Sequence, residues 1–105
     1  MPIILPMVTL SVLYPKNATS TFDHDYYRDT HTPLVKSRLA PESLTILHGL
    51  PGSDGSAPAF ELIALITFSS AEQLTAALST HGPEVVGDIP NFTNVQPIIQ
   101  ANKPA

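Results

Sequence analysis

Residues Phe60–Phe68 read Phe-Glu-Leu-Ile-Ala-Leu-Ile-Thr-Phe, and the expected architecture grows out of this run. Its large and β-branched residues predict a strand. Alternation puts Phe60, Leu62, Ala64, Ile66 and Phe68 on one face and Ile63 and Leu65 on the other, so both faces are apolar and both must be covered. Helices of the same chain can cover one. The other needs a further layer, and the composition suggests its source. Charged residues make up 13% of the 105, about half of the ~25% usual for soluble domains, too few to coat an isolated monomer. A chain this long buries roughly 60 to 70% of its unfolded surface as a single compact domain, here residues 1–105.

Working outward, residues 7–14 (MVTLSVLY) predict a first strand stopped by Pro15. After the turn KNATS, residues 22–39 predict a helix. Ser20 and Asp23 are spaced as a capping box, Asp23 and Asp25 lie at its start, and Lys36 and Arg38 lie toward its end. Pro33 cannot donate to the carbonyl of Asp29, so a kink or a break near Thr32 is expected. Residues 42–50 predict a second strand, and the turn-rich PGSDGSAP joins it to the third. Ser70 and Gln73 open a second helix with Leu74 and Leu78 on one stripe, and Gly82-Pro83 is expected to end it, with a short helical turn in PEVVGD. Residues 95–101 predict a last strand, on an edge or bulged because of Pro97, and residues 102–105 a disordered tail.

The order is βαββαβ, the α+β ferredoxin-like pattern with a four-stranded antiparallel sheet. Two helices cover only one face of such a sheet. The expected solution is a homodimer stacking sheet on sheet, a dimeric α+β barrel, against a monomer whose tail covers the open face.

Net charge is −4 and no basic cluster occurs, which argues against nucleic acid as a partner. Without cysteine there is no disulfide framework and no thiolate chemistry, and a reducing, cytoplasmic setting is expected. The apolar start, MPIILPMVTLSVLYP, has no basic flank and is broken by Pro2 and Pro6, so it reads as a lead-in and strand and not as a signal or membrane anchor.

Chemistry concentrates in Tyr14-Pro15 and in residues 22–35, FDHDYYRDTHTPLV. At 100° per residue Tyr27, His31, Leu34 and, in an undistorted helix, Arg38 share a stripe where a sheet-facing helix normally presents aliphatic residues. A phenol and an imidazole there offer a hydrogen-bond donor and a base near neutral pH. Two readings stand for His31: a functional base, or a core histidine satisfied by the carbonyl that Pro33 leaves free. Tyr14, at the end of the first strand, offers a second hydroxyl or simply packs. His48 groups with Leu44, Ile46 and Leu50, facing a cavity or a dimer seam. His24 reads as solvated, His81 as lying near a helix C-terminus, and Glu61 as a salt-bridge partner or an acid-base group. The histidines lack metal-ligand spacing, and no nucleotide-binding or nucleophile-elbow motif occurs, so neither metal nor cofactor is expected.

Tyr14-Pro15, Phe22-Asp23, Tyr26-Tyr27 and His31-Thr32-Pro33-Leu34, followed late in the chain by Asp88-Ile-Pro-Asn91-Phe92-Thr93, resemble the pattern of the EthD family in order. The resemblance implies a homodimeric α+β barrel with a cavity between sheet and helices lined by the His31 stripe. It implies no single reaction, since activities associated with the family and its fold relatives include decarboxylation, cyclisation, isomerisation and cofactor-free oxygenation. The leading expectation is a cofactor-independent enzyme acting on a small apolar cyclic, phenolic or β-keto-acid substrate. In it His31 shuttles the proton, Tyr27 and Tyr14 orient the substrate or stabilise an enolate, Phe22, Tyr26, Leu34 and Phe92 form the binding wall, and Asn91 makes a polar contact at the mouth. The alternatives are a non-catalytic small-molecule-binding or accessory dimer, a cofactor-free monooxygenase, and a structural dimer whose own side chains fill the cavity.

Overall fold

The computed structural model describes residues 6–105; the first residues of the expected lead-in lie outside the described residues. Strand β1 (Val8–Pro15) is followed by a continuous helical segment made of α1 (His24–Tyr26), a π-helical turn (Tyr27–His31) and α2 (Thr32–Leu39). Strands β2 (Ser43–His48) and β3 (Phe60–Phe68), helix α3 (Ala71–Gly87), a 3₁₀ turn (Ile89–Asn91) and strand β4 (Ile98–Asn102) complete the chain. The strands form one antiparallel sheet in the order β2-β3-β1-β4, the ferredoxin-like arrangement, with β4 on an edge.

Register explains which face is the core. Val8, Leu10, Val12 and Tyr14 pair with Phe68, Ile66, Ala64 and Leu62, and all eight are buried beneath the helices. On the opposite face, Leu47 pairs with Ile63, Ile63 with Leu13, and Leu13 with Ile98. This apolar row crosses all four strands, and its outer members Leu47 and Ile98 stay 46% and 54% exposed. At the Tyr14/Pro15 register shift Glu61 is the extra residue of β3, and such a bulge re-aims side chains. Gly49, at the end of β2, has no room for a side chain: a Cβ would stand 2.1 Å from the Phe60 carbonyl oxygen.

The structure departs from the expected local pattern at several places. The first helix begins at His24, capped by Asp23, whose carboxylate accepts from the Tyr26 amide; Ser20 instead closes a turn with Asn17, and Phe22 bridges Thr93. Gly82-Pro83 does not end α3, which runs on to Gly87. Leu74, Gly82 and Val85 are buried along that helix, and burial of an apolar stripe outweighs the bond that Pro83 cannot make. His81 therefore sits within the helix and not near its end. Finally β4 begins at Ile98, just after Pro97, and takes in Asn102, the first residue of the expected tail, whose amide donates to the Thr9 carbonyl and the Ser11 hydroxyl.

Candidate functional site

Pro33 shapes the site from a distance. Instead of breaking the helix, it is preceded by the π-helical turn, in which the Thr32 amide reaches back five residues to the Tyr27 carbonyl. One residue is thereby inserted, and every later side chain arrives one position late. The buried stripe is Tyr27, His31, Val35 and Leu39, in place of the expected continuation through Leu34 and Arg38. Leu34 is half-buried against the core and is not part of the cavity wall. Arg38 is at the surface, its Nε donating to Glu84 on α3 at 2.8 Å.

His31 is 3% exposed, and its Nδ1 lies 2.9 Å from Oδ2 of Asp88, the residue that follows α3. The other carboxylate oxygen of Asp88 accepts from the Tyr26 hydroxyl at 2.6 Å and from the Asn91 amide at 2.9 Å. Burial alone would raise the Asp88 pKa, but the donors Tyr26, Asn91 and His31 outweigh it and hold the group below its ordinary 3.8. An ionised carboxylate only accepts, so the Nδ1 of His31 carries the proton. Burial pulls the His31 pKa below 6.5, against the opposing pull of Asp88, so the ring is neutral at pH 7 with its lone pair on Nε2.

That lone pair faces open space. Among the described residues, His31 Nε2 and the hydroxyls of Tyr14 and Tyr27 have no protein hydrogen-bond partner, yet no wholly buried polar side-chain atom lacks one. The space they adjoin is a cavity of about 300 Å³ between the sheet and helices α2 and α3. Its walls include Leu10, Val12 and Ile66 from the sheet, Val35 and Leu39 from α2, and Leu78 and Val85 from α3. Ala64 and Gly82, with little or no side chain, leave the room. The chain thus does not fill this space itself. Burial raises the pKa of both Tyr14 and Tyr27, the nearby Tyr27 and Asp88 adding to the effect at Tyr14, so both phenols stay protonated donors.

Tyr14, Tyr27 and His31, singled out from the sequence, therefore meet at one cavity. The residues expected to form the binding wall are placed differently. Phe22, Tyr26, Asn91 and Phe92 do not line the cavity: Tyr26 and Asn91 hold Asp88, and the two phenylalanines pack against the rings of Tyr14, Tyr27 and His31. Phe92 is the hub, with ring centroids 4.5 Å from His31, 5.1 Å from Tyr27, 5.3 Å from Phe22 and 5.7 Å from Tyr14. Phe92→Ala is expected to lower unfolding free energy by about 3–5 kcal/mol out of a typical ~5–15, read as a shifted urea midpoint. An unchanged midpoint would show that the cluster does not depend on this ring.

Asp88 belongs to the late sequence motif, but the sequence pattern gave it no role. The usable signal was its position two residues before Pro90 in that motif, but its partner His31 lies 57 residues away, beyond any local spacing rule. His48 shares the helix-side face with Leu44 and Ile46, its ring 5.4 Å from that of His24. His24 is half-exposed, and Glu61 pairs with its Nε2 at 2.7 Å and with Lys16 at 2.6 Å, the salt-bridge reading of that residue. Among the described residues no group of three or more His, Asp or Glu converges as a metal site. No helix is long and apolar enough to cross a membrane, among the described residues.

Solved structures that resemble this one include two EthD-type proteins. An EthD-like protein from Ralstonia eutropha is 40% identical with a TM-score of 0.86, the match covering 93% of this chain and 91% of the other. An ethyl tert-butyl ether D (EthD) family protein from Bacillus halodurans shares the fold with a TM-score of 0.76 at 20% identity, over 94% of this chain and 99% of the other. No curated protein matches the chain. The model of the EthD domain matches residues 16–96, a span that contains Tyr27, His31 and Asp88, and with it the chain belongs to the EthD family.

Proposed function

We propose that this protein is a cofactor-independent enzyme that moves a proton on a small, apolar, uncharged carbon acid or phenol. The observation that carries the reading is the buried His31–Asp88 pair, with the free nitrogen of its neutral imidazole open to an apolar cavity and protonated phenols on the same wall. His31 Nε2 takes a proton from an acidic C–H, and the bond's electron pair moves onto the adjoining carbonyl oxygen. Tyr14 and Tyr27 donate to the resulting enolate oxygen. The imidazolium, steadied by Asp88, returns the proton at another carbon, which isomerises the substrate, or to an oxygen after the enolate has closed a ring.

The cavity sits at the small end of the ~300–1,000 Å³ typical of small-molecule sites, suiting a one- or two-ring molecule. Among the described residues no Lys or Arg lines it, so a neutral substrate fits better than a carboxylate, and decarboxylation of a β-keto acid is the least supported of the expected reactions. The cysteine-free composition suits a cytoplasmic setting.

Hydrogen-deuterium exchange at the α-carbon of β-tetralone, followed by NMR in deuterium oxide, tests the reading and does not require the physiological substrate. Exchange above the buffer rate is the expected result. Binding without exchange would leave a non-catalytic ligand-binding protein. The apolar row Leu47-Ile63-Leu13-Ile98 supports a homodimer through the open sheet face. Sedimentation equilibrium should return the dimer mass, and Ile63→Glu should shift it toward monomer; a monomeric wild type would remove this part of the proposal.

A further inference from the structure

Three wall residues of the cavity are exposed: Pro83 and Val86 on the last turns of α3 and Ile99 on β4, Val86 at 53% and Ile99 at 49% being the large aliphatic ones. The other large exposed apolar side chains, Met7, Leu47, Leu50 and Ile98, do not line it. A side chain that borders a cavity and also meets solvent marks its rim, so the opening lies between the end of α3 and the edge strand. Beyond that rim runs a second, shallower depression of about 420 Å³, bordered by Thr93, Val95, Gln96 and Pro97 and sharing Val86, Ile89 and Ile99 with the cavity. The two spaces share these three side chains as a common border. Among the described residues, no charged one borders the outer depression.

We infer that Val86 and Ile99 form the mouth of the His31 cavity and that the outer depression holds an uncharged tail of the substrate. The substrate is then elongated, with a reactive ring at His31 and a neutral, largely apolar extension passing between α3 and β4. The inference rests on the catalytic reading of the cavity above and adds to it a pair of specificity-determining residues remote from the proton transfer. The border shared with the cavity selects the occupant, because a tail crossing that rim is covalently tethered to the bound ring. The absence of charge along the path disfavours a carboxylate or phosphate terminus.

Binding of para-ethylphenol and para-heptylphenol, measured by calorimetry, provides the test and does not depend on turnover. Each methylene laid on apolar surface can strengthen binding by up to roughly fourfold, so the heptyl compound should bind wild type at least about tenfold more tightly than the ethyl one. Val86→Trp and Ile99→Trp narrow the mouth at half-exposed positions. They should weaken para-heptylphenol at least about tenfold more than para-ethylphenol. Circular dichroism verifies the fold, and Val86→Phe is measured if either tryptophan variant fails it. Equal losses for both phenols, or none for the longer one, would overturn the mouth assignment while leaving the catalytic reading in place. Failure of para-ethylphenol to bind the wild type would bring down both.

Discussion

His31→Gln is expected to cut the deuterium exchange rate on β-tetralone by roughly 10²–10⁴-fold, the usual worth of a placed general base. Glutamine keeps an amide able to donate to Asp88 and fills similar space, so the cavity walls, the fold and ligand affinity should change little. The loss should fall on kcat and not on KM. The pH dependence identifies the group further. In the wild type only the neutral imidazole accepts a proton, so the rate rises with pH through a His31 pKa that burial has lowered below 6.5, then levels near neutrality. In the variant that acid limb should disappear. Full exchange by His31→Gln with the limb intact would refute the proton shuttle.

Asp88→Asn should cost on the order of 10²-fold or more, through a route that the hydrogen-bond pattern specifies. Both Tyr26 and Asn91 donate to Oδ1 of Asp88, so an asparagine places its carbonyl oxygen there. Its amino group then occupies the position of Oδ2 and points at Nδ1 of His31. A donor at that position forces Nδ1 to accept and moves the ring proton to Nε2, removing the lone pair from the cavity. Asp88 also raises the His31 pKa against burial, so without its charge the acid limb of any residual activity should move to lower pH. A purely structural role for Asp88 would lower activity without moving that limb. An unchanged rate and profile would exclude the positioning role.

Much of the fold and the site is legible in the sequence because it depends on short-range pattern. Alternation in residues 60–68 marks the central strand, and the spacing of Tyr27 and His31 puts both on one face whether the intervening turn is α or π. Readings that project regular geometry past an irregularity are displaced. Leu34 and Arg38 leave the stripe because the π-helical turn before Pro33 inserts a residue, and α3 runs through Gly82-Pro83 because its apolar side is buried. Phe22, Tyr26, Asn91 and Phe92 belong to the site region, as their motifs suggested, but they do not line the cavity.

The chain's own residue order established the βαββαβ succession, the two apolar faces of β3 and the aromatic-imidazole stripe, since each follows from periodicity within a single element. Pairing of His31 with Asp88, the protonation state this imposes, and the cavity left by Ala64 and Gly82 emerged only once the elements packed together. Hydrogen bonds and empty space between elements depend on distances that the packing of helices on the sheet sets. No local pattern encodes a partner 57 residues away.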